Sequence, residues 1–360
     1  MKLKIFCHWK PKSEIKKTWS GSAYSMFKEF QKDYSCEIVD RNTNLFCRNI
    51  WKYSQKYHSL FLEKLFCRIQ DYLLQRKLRD SDTVFMISAV LKVKNPTYVF
   101  FDNIWATEDV LIPLDEDING DWSFREVFQS YSKKQKEFNI NRQYQIMEHS
   151  KAIFCMGHWL SDFIKLKYPE FSSKTYIVGG GINISNSSNK NRIPNSILFV
   201  GKDFYRKGGD LVVKAYRILK EKNKGLKLTI AGPTVMPKEI TDDIDFLGEI
   251  SFEKVDELMS THSIFCMPSR FEAYGLVFVE ALVNGIPCIG RNAWEMPYFI
   301  EEGVTGELIG HDDAEELASK MERVLNSHHY CQNVQARHDY YVQEYSWKNV
   351  CKRISDNMKR

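Results

Sequence analysis

The chain has 360 residues, a length that predicts two domains, because one hydrophobic core rarely serves more than about 250–300 residues. Hydrophobic residues make up 43% of the sequence and charged residues 27%, which excludes an intrinsically disordered chain and a bundle of membrane-spanning helices. The net charge of +5 is unevenly spread: residues 1–100 hold 19 basic and 9 acidic residues, a local charge of +10. Such a region suits an anionic membrane surface, a phosphate-bearing acceptor or nucleic acid, or is an ordinary solvated surface.

The nine cysteines are scattered singly, and no Cys-x-x-Cys pair occurs. This pattern predicts reduced, buried thiols rather than disulfides or a zinc site. The first ten residues, MKLKIFCHWK, lack an apolar run long enough for a signal peptide. We therefore expect a cytoplasmic protein, which would work at the inner face of a membrane if the basic region binds lipid.

Short apolar runs alternate with amphipathic segments along the first half of the chain. Strands are predicted at KLKIFCHW, CEIVD, TVFMISAVL, TYVFFD, AIFCMG and TYIVGGG. Helices are predicted at AYSMFKEFQKD, HSLFLEKLFCRIQDYLLQRKL, SFREVFQSYSKKQKEF, NRQYQIMEHS and WLSDFIKLKY, and PKSEIKKTWSGSA is predicted as a polar loop. This alternation indicates right-handed βαβ units and a parallel sheet.

A linker rich in Asn and Ser follows at residues 182–196, and the alternation then restarts. The second half is predicted to contain the segments SILFVG, GDLVVKAYRILKEKN, KLTIAG, IDFLG, EKVDELMSTH, SIFCMPS, GLVFVEALVNG, PCIG and DDAEELASKMERVL. We predict an N-terminal Rossmann-like domain over 1–183 and a second over 190–340. A helix at about 341–360, carrying Trp347, is predicted to return to the first domain.

Two loops of the second domain carry chemistry, because ligands of parallel sheets bind beyond the carboxyl ends of the strands. In ILFVGKDFYRKGGDLVV, Lys202 and Lys207 flank a turn that leads into a helix near Gly209–Asp210. Two ammonium groups beside a helix N-terminus suit a diphosphate leaving group. Neither GxxxxGK[ST] nor GxGxxG is present, so the loop is not a P-loop or a dinucleotide fingerprint, and a solvated turn is the alternative.

The second loop lies in SIFCMPSRFEAYGLVFVEALVNGIPCIG. Arg270, Glu272 and Gly275 precede a helix predicted from about Leu276 to Val283, and Glu280 lies within it. Glu280 is surrounded by apolar residues in VFVEAL, where a carboxylate needs partners. Carboxylates accept hydrogen bonds from ribose or sugar diols, and the helix N-terminus suits phosphate, so we favour a ligand site over an ordinary helix glutamate.

The stretch from Ile197 to Leu308 resembles the C-terminal domain of family 4 retaining glycosyltransferases, which have the GT-B fold of two facing Rossmann-like domains with a donor and acceptor cleft between them. The resemblance is carried by VGKDFYRKGGDLVVKAY, LTIAGP and the long segment from IDFLGEISFEKVDELMS to NGIPCIG, with weaker matches at PYFIEEGVTGEL, YIVGGGIN and SWKNVCKRI. It includes the E-x7-E pair of the family, Glu272 and Glu280. About two thirds of the chain is covered well, and residues 1–150 poorly.

The resemblance implies roles for these residues. Lys202 and Lys207 would neutralise the donor diphosphate, Glu272 would contact the donor sugar near its anomeric carbon, and Glu280 would hold the ribose hydroxyls. The remaining contacts to the donor would come from Arg270, from the backbone of Ala273, Tyr274, Gly275 and Leu276, and across the cleft from Ser20, Gly21 and Ser22.

Three departures from the family pattern put donor identity in doubt. Asp102 stands at the strand end where the family often has a histidine near the donor sugar. Lys202 replaces an arginine and loses its bidentate geometry. Trp294 and Glu295 lie where the family has Gly-Gly-x-Pro-Glu.

Four further sequence features each have an ordinary structural interpretation beside a functional one. The Asp80–Ser81–Asp82 motif precedes a strand and is predicted to be a turn, and the acidic run Asp115–Asp117 a solvated loop. His158, at a strand end, either touches acceptor or phosphate or has a structural role. The amphipathic run from His58 to Lys77 is predicted to be a packed helix, with a membrane-surface helix as the alternative.

These features together predict a retaining glycosyltransferase that moves a hexose or related sugar from a UDP- or GDP-sugar to a glycan or lipid-linked glycan, in surface polysaccharide biosynthesis. No metal and no cofactor are expected, because the nucleotide sugar is a co-substrate. Peripheral membrane association is an open expectation, and nucleic-acid binding is disfavoured by the lack of interleaved aromatic and Arg motifs. The alternatives are a non-catalytic sugar-nucleotide-binding partner subunit and another GT-B enzyme such as a sugar-nucleotide epimerase.

Overall fold

The computed structural model describes residues 2–7, 12–40, 45–88, 90–107, 110, 131–182 and 192–359. The chain divides into two compact units. Described residues up to 182, together with 347–359, form the first unit, and residues 192–346 form the second. None of the helices in the described ranges is long and apolar enough to cross a bilayer.

The first unit is built on a six-stranded parallel sheet with the order β2-β1-β3-β4-β5-β6. Its strands are β1 (Lys2–Cys7), β2 (Ser35–Asp40), β3 (Asp82–Ile87), β4 (Thr97–Phe101), β5 (Ala152–Cys155) and β6 (Thr175–Ile177). Its helices before the linker are α1 (Ser22–Phe30), α2 (Leu45–Lys56), α3 (Leu60–Gln75), α4 (Lys133–His149) and α5 (His158–Lys167). The central strands β4 and β5 are mostly apolar and every residue of them is buried, because both faces of a parallel sheet are covered.

The second unit has a six-stranded sheet of order β12-β11-β10-β7-β8-β9, parallel throughout. Its strands are β7 (Ser196–Val200), β8 (Lys227–Ala231), β9 (Asp245–Gly248), β10 (Ile264–Cys266), β11 (Cys288–Arg291) and β12 (Gly306–Ile309). Its helices are α6 (Gly209–Lys222), α7 (Phe252–Thr261), α8 (Leu276–Val283), α9 (Met296–Phe299), α10 (Ala314–Leu325), α11 (His328–Ala336) and α12 (His338–Glu344).

The last helix, α13 (Trp347–Met358), belongs to the first unit. A Cβ atom added to Gly181 would lie 2.4 Å from the Trp347 ring, so glycine is required for this packing. The Tyr98 hydroxyl donates to the Met358 carbonyl at 3.1 Å. The returning segment begins at Trp347 rather than at about 341, because Tyr345 packs on Phe299 within the second unit, with ring centroids 5.9 Å apart.

Several local features differ from the sequence prediction. The segment predicted as a polar loop after β1 contains a 3-10 helix over Lys12–Gly21. Helix α2 was not predicted, because its exposed Trp51 and Tyr53 blur the apolar stripe made by Cys47 and Ile50. SFREVFQSYSKKQKEF and NRQYQIMEHS, predicted as two helices, share the single helix α4, and β12, α9 and α11 were not predicted. The remaining predicted strands and helices of the described ranges are present within a few residues of their predicted ends.

Candidate active site

The order of the second sheet reverses between β7 and β10: the chain runs outward through β8 and β9 and then returns through β10, β11 and β12 on the other side. Ligands of open parallel sheets bind at such a switch point, beyond the carboxyl ends of the strands. Both chemistry-bearing loops predicted from the sequence follow these two strands. The loop after β7 carries Lys202 and Lys207, and the loop after β10 carries Arg270 and Glu272.

Glycines let the two loops pack closely. A Cβ atom on Gly201 would lie 2.3 Å from the Cδ atom of Lys207, so the lysine stem folds over the end of β7 where only a glycine leaves room. Gly208, in the left-handed conformation at φ 76°, precedes α6, and a Cβ atom there would lie 2.6 Å from the Pro268 carbonyl oxygen. The backbone that presents Lys207 is therefore in contact with the backbone that leads to Glu272.

Glu272 is buried, and cations surround it. Its Oε2 atom lies 3.0 Å from Lys207 Nζ and 4.0 Å from Arg206 Nη1, and it accepts a hydrogen bond from Ser269 Oγ at 3.4 Å. Burial by itself would raise the pKa of Glu272, but Lys207 and Arg206 outweigh it and lower the pKa below its ordinary value. Glu272 is accordingly a carboxylate at neutral pH.

Glu280 has the opposite electrostatic setting. Burial raises its pKa to about 7, with Lys207 lowering it and Asp256 raising it. Among the described residues its carboxyl group has no hydrogen bond or ion pair with another side chain. The two glutamates are thus driven apart in pKa by their surroundings, which is typical of functional sites. An enclosed carboxyl group without a protein partner is available to the hydroxyl groups of a ligand.

The start of α8 supplies backbone donors beside these carboxyl groups. Gly275, at φ 95°, caps the helix, and a Cβ atom there would meet Glu272 Cγ at 3.0 Å. The first N–H groups of a helix have no intrahelical acceptor and form an anion site. Tyr274 offers this site only its backbone, because its ring is buried against Phe299 with centroids 5.0 Å apart. Ala273 and Leu276 are half-buried at the same corner.

Arg270 has acceptors inside the protein for both ends of its guanidinium group. It forms a bidentate pair with Asp210 at 2.6 and 2.9 Å, a second pair with Asp312 at 2.6 Å, and a hydrogen bond to the Tyr205 carbonyl. Arg291 joins the network through Asp312. These contacts favour a positioning role for Arg270, tying the Glu272 loop to α6, over the direct ligand contact that the sequence predicted.

Lys202 does not join the Glu272 cluster in this structure. Its ammonium group pairs with Glu249, and both side chains are largely exposed. An exposed ion pair of this kind contributes little to stability, so Lys202 can be drawn to an anionic ligand at small cost.

Trp294 lies next to the loop that follows β10. Its backbone is left-handed at φ 58°, its Nε1 atom donates to the Arg270 carbonyl at 2.8 Å, and its ring meets Phe271 edge-on at 5.0 Å. Non-glycine residues in this backbone conformation cost of order 1–3 kcal/mol each, and they are concentrated at active sites, ligand clamps and switch regions. Glu295 is buried beside it.

The site residues predicted in the first domain lie at the carboxyl edge of the first sheet and at helix starts. Gly21, at φ 90°, caps α1, and Ser22 is its first, buried residue. Asp102 follows β4 and accepts from Ser88 Oγ at 2.8 Å; burial raises the pKa of Asp102 despite this bond. His158 is the first residue of α5. The Ser20 side chain and the acidic run Asp115–Asp117 lie outside the described residues.

Sequence reasoning missed Arg206 and the acidic partners of Arg270. Arg206 donates to the Phe271 carbonyl at 2.7 Å and to Asp203 at 2.8 Å, which fixes the backbone next to Glu272. The adjacent pair Arg206–Lys207 was a visible signal in the sequence. Arg270 and Asp312 are 42 positions apart in the sequence, so no local sequence pattern predicts their pairing.

The second half of the chain is similar to a known family of proteins. Residues 182–341 match the family model described as glycosyl transferases group 1. Relatives include an uncharacterized 41.2 kDa protein in the cps region of Klebsiella pneumoniae, 29% identical over 37% of this chain and 36% of that protein. N-acetyl-alpha-D-glucosaminyl L-malate synthase of Bacillus anthracis is 32% identical over 39% of each chain. An uncharacterized glycosyltransferase of Methanocaldococcus jannaschii is 27% identical over 43% of this chain and 42% of that one. The chain thus spans 36% to 42% of the length of these three relatives.

Solved structures extend the likeness over the whole chain. WaaG, a glycosyltransferase involved in lipopolysaccharide biosynthesis, superposes with a TM-score of 0.66 at 14% identity, covering 99% of both chains. Anabaena HepE, solved in complex with UDP and glucose, gives a TM-score of 0.63 at 12% identity, again covering 99% of both. The GT-B fold class predicted from the sequence is confirmed. The family match and the named relatives support a glycosyltransferase.

Proposed function

We propose that this protein is a retaining, metal-independent glycosyltransferase. It moves a hexose or related sugar from a UDP- or GDP-sugar to a glycan or lipid-linked glycan acceptor in surface polysaccharide biosynthesis. The observation that carries the proposal is the arrangement at the start of α8. There an ionised Glu272 is paired with Lys207 beside a helix N-terminus, and Glu280 has no side-chain hydrogen bond or ion pair within the described part of the chain.

Each part of a nucleotide sugar has a matching group in this arrangement. Lys207 and the α8 N-terminus would hold the diphosphate, with Lys202 released from Glu249 as a second cation. Glu280 would accept hydrogen bonds from the two ribose hydroxyls, which restores partners to an enclosed carboxyl group. Glu272 would face the donor sugar near the anomeric carbon.

The proposed reaction breaks the bond between the anomeric carbon and the diphosphate oxygen, and forms a bond from that carbon to the acceptor oxygen on the same face. Its transition state resembles an oxocarbenium ion. Negative charge develops on the leaving diphosphate, where Lys207 and the helix N-terminus stabilise it in a preorganised setting. The donor phosphate takes the acceptor proton, so no protein base is needed. The ionised Glu272 would complement positive charge on the sugar ring.

The relatives are consistent with this proposal. Among the structural neighbours, HepE was solved with UDP and glucose, and a TarM variant with UDP and a GlcNAc-glycerol. WaaG acts in lipopolysaccharide biosynthesis, and one relative is encoded in a cps region. These facts support a nucleotide-sugar donor and a surface glycan product for this chain as well.

The test of the site is ligand-induced stabilisation. Thermal unfolding is followed with UDP-, GDP-, ADP- and TDP-sugars, for the natural protein, Glu280→Ala, Lys207→Ala and the matched control Glu221→Ala, an exposed glutamate of α6. A donor at about 100 times its Kd adds roughly 2.7 kcal/mol to the free energy of unfolding. We expect one nucleotide class to stabilise the natural protein and the control, and to fail with the two site variants. Equal stabilisation of all four proteins would overturn the site assignment.

Catalysis and stereochemistry need separate tests. Turnover of the stabilising donor by the isolated chain distinguishes an enzyme from a non-catalytic partner subunit, and a product in which the sugar is transferred distinguishes a transferase from an epimerase. NMR of the product resolves its anomer: retention is expected, and an inverted anomer would refute the retaining mechanism.

A further inference from the structure

We propose that the outward face of α3, together with the exposed aromatic residues of α2, is a docking surface for an anionic lipid bilayer. The proposal rests on the proposed function in one respect: a lipid-linked acceptor would be presented at such a bilayer.

Helix α3 has one buried face and two flanks that pack on neighbouring helices. Its buried face is made of Glu63, Phe66, Gln70 and Leu74, which recur at helical spacing. One flank packs on α2, where Cys47 and Ile50 form a small apolar cluster with Phe66. The other flank packs on α4, from which Gln135 Nε2 donates a hydrogen bond to Glu63 at 2.7 Å and Asn139 Nδ2 donates another to Glu63 at 2.8 Å.

One stripe of α3 is left facing solvent. Phe61 is 74% exposed and Tyr72 62% exposed, and Arg68 and Arg76 are exposed as well. These four residues, spaced by seven, four and four positions, lie on one side of the helix, opposite the buried face. The Arg76 guanidinium lies 5.8 Å from the Tyr72 ring centroid. We call this set the aromatic–cation stripe.

Helix α2 and the turn after it add three exposed aromatic side chains. Trp51, Tyr53 and Tyr57 are 47%, 49% and 62% exposed, and the Tyr53 and Tyr57 rings stack with centroids 6.1 Å apart. Lys56 lies over the Tyr57 ring at 5.4 Å. Five of the eight large aromatic residues exposed in the described parts of the chain therefore fall between positions 51 and 72. Such clustering marks an interaction surface, since scattered exposure is the ordinary case.

The charge of this surface has a single sign. Residues 45–79 hold eight basic and two acidic residues. Both acidic side chains have partners within the protein. Glu63 is buried and accepts hydrogen bonds from the amides of Gln135 and Asn139. Asp71 forms an ion pair with Arg142 and accepts a hydrogen bond from the Lys92 backbone N–H. The described exposed residues of α2, of α3 and of the turn between them thus present cations and aromatic rings to solvent without an acidic side chain among them.

This combination favours a bilayer over a protein partner. Tyr, Trp and Phe prefer the boundary between headgroups and acyl chains, and Lys and Arg bind anionic headgroups from the same depth. Protein interfaces share the enrichment in aromatic residues and Arg, but they are depleted in Lys, which α2, α3 and the turns beside them carry at positions 52, 56, 64 and 77. The arrangement fits a helix lying along the membrane surface.

The test is vesicle co-sedimentation of the full chain. Vesicles of phosphatidylcholine alone are compared with vesicles containing roughly one third phosphatidylglycerol, at about 0.1 M and about 1 M salt. The stripe variant carries Phe61→Ser, Arg68→Gln, Tyr72→Ser and Arg76→Gln, all at exposed positions. The matched control carries Phe252→Ser and Lys254→Gln, an exposed aromatic residue and cation on α7 of the second unit.

We expect binding to the anionic vesicles only, weakened by high salt. Each removed charge is worth about fivefold in partitioning, so the stripe variant should bind at least about 25-fold more weakly, and the control should bind like the natural protein. Absence of binding to anionic vesicles, or equal binding by the stripe variant and the natural protein, would overturn the proposal. Binding lost equally in the control would point to general charge attraction and would overturn it too.

Donor-induced stabilisation in the absence of vesicles separates this proposal from the proposed function. The stripe variant should keep both its melting temperature and its stabilisation by the donor nucleotide. If donor stabilisation is absent from every protein while vesicle binding follows the stripe, the donor-site assignment fails and the docking surface stands.

Discussion

Replacing Glu280 by Gln is expected to make the ligand-free protein more stable and the donor complex weaker. The substitution keeps the shape of the side chain and removes its charge. In the folded protein, burial raises the pKa of Glu280 to about 7, from an ordinary value of 4.5. Ionisation of this group therefore opposes folding, and a neutral amide avoids that cost.

The size of the effect depends on pH in a defined direction. Because the folded pKa lies above the unfolded one, the cost is absent below the unfolded value, grows between about pH 4.5 and 7, and is complete above pH 7. The difference between the folded pKa of about 7 and the ordinary pKa of 4.5 corresponds to about 3 kcal/mol in the free energy of unfolding. The free energy of unfolding of Glu280→Gln should thus be higher than that of the natural protein by less than about 1 kcal/mol at pH ~5 and by about 3 kcal/mol at pH ~8.5.

The assay is denaturant unfolding at these two pH values, with Glu221→Gln on the exposed face of α6 as the matched control. The control should change stability by no more than about 0.5 kcal/mol at either pH. The same variant should bind the donor nucleotide at least about tenfold more weakly, because the amide has one acceptor oxygen in place of two and loses the charge that strengthens hydrogen bonds from the ribose hydroxyls. A stability difference that does not grow with pH, or a Glu280→Gln protein less stable than the natural one at pH ~8.5, would refute the reasoning.

Three further outcomes are expected. Lys207→Met should lower turnover by at least about 10²-fold, because it removes the cation at the leaving diphosphate and leaves Glu272 buried without its nearest partner. Lys202→Met should lower turnover less. Equal losses of turnover in steady-state kinetics would contradict this ranking. Arg270→Met should lower the free energy of unfolding by about 3–5 kcal/mol, since Asp210 loses its bidentate partner, and an unchanged stability with weakened donor binding would instead restore a ligand role. Treatment with EDTA should leave turnover unchanged, and a loss that Mg²⁺ restores would disprove the metal-independent mechanism.

The architecture was predictable because parallel strands buried on both faces read as unbroken apolar runs. The segments SILFV and IFC differ from the helices between them in length and period, and two α/β domains with parallel sheets follow from this alternation. The GT-B fold itself was implied by the family resemblance. The carboxyl-edge rule then directs attention to the loops after β7 and β10, where the structure has Lys207 and Glu272 in contact. The functional roles of these residues stay predictions.

What the sequence could not predict are pairings between distant side chains. Arg270 looks like a ligand residue because it lies next to Glu272, and only the fold reveals that Asp210 and Asp312 enclose it. Lys202 and Lys207 are equivalent in the sequence, yet one pairs with exposed Glu249 and the other with buried Glu272. Local periodicity reports which face of an element is buried, but not which charged groups meet there.

The return of α13 to the first unit has a consequence for biosynthesis. Trp347 covers Gly181, Tyr98 donates to the Met358 carbonyl, and Arg353 Nε donates to the Val178 carbonyl at 2.7 Å. During translation, the second unit can therefore be complete on the ribosome while the first still lacks one side of its core. We expect the first unit to complete its folding only after residues 347–358 have been synthesised, so that the N-terminal half of this chain is the last to fold fully.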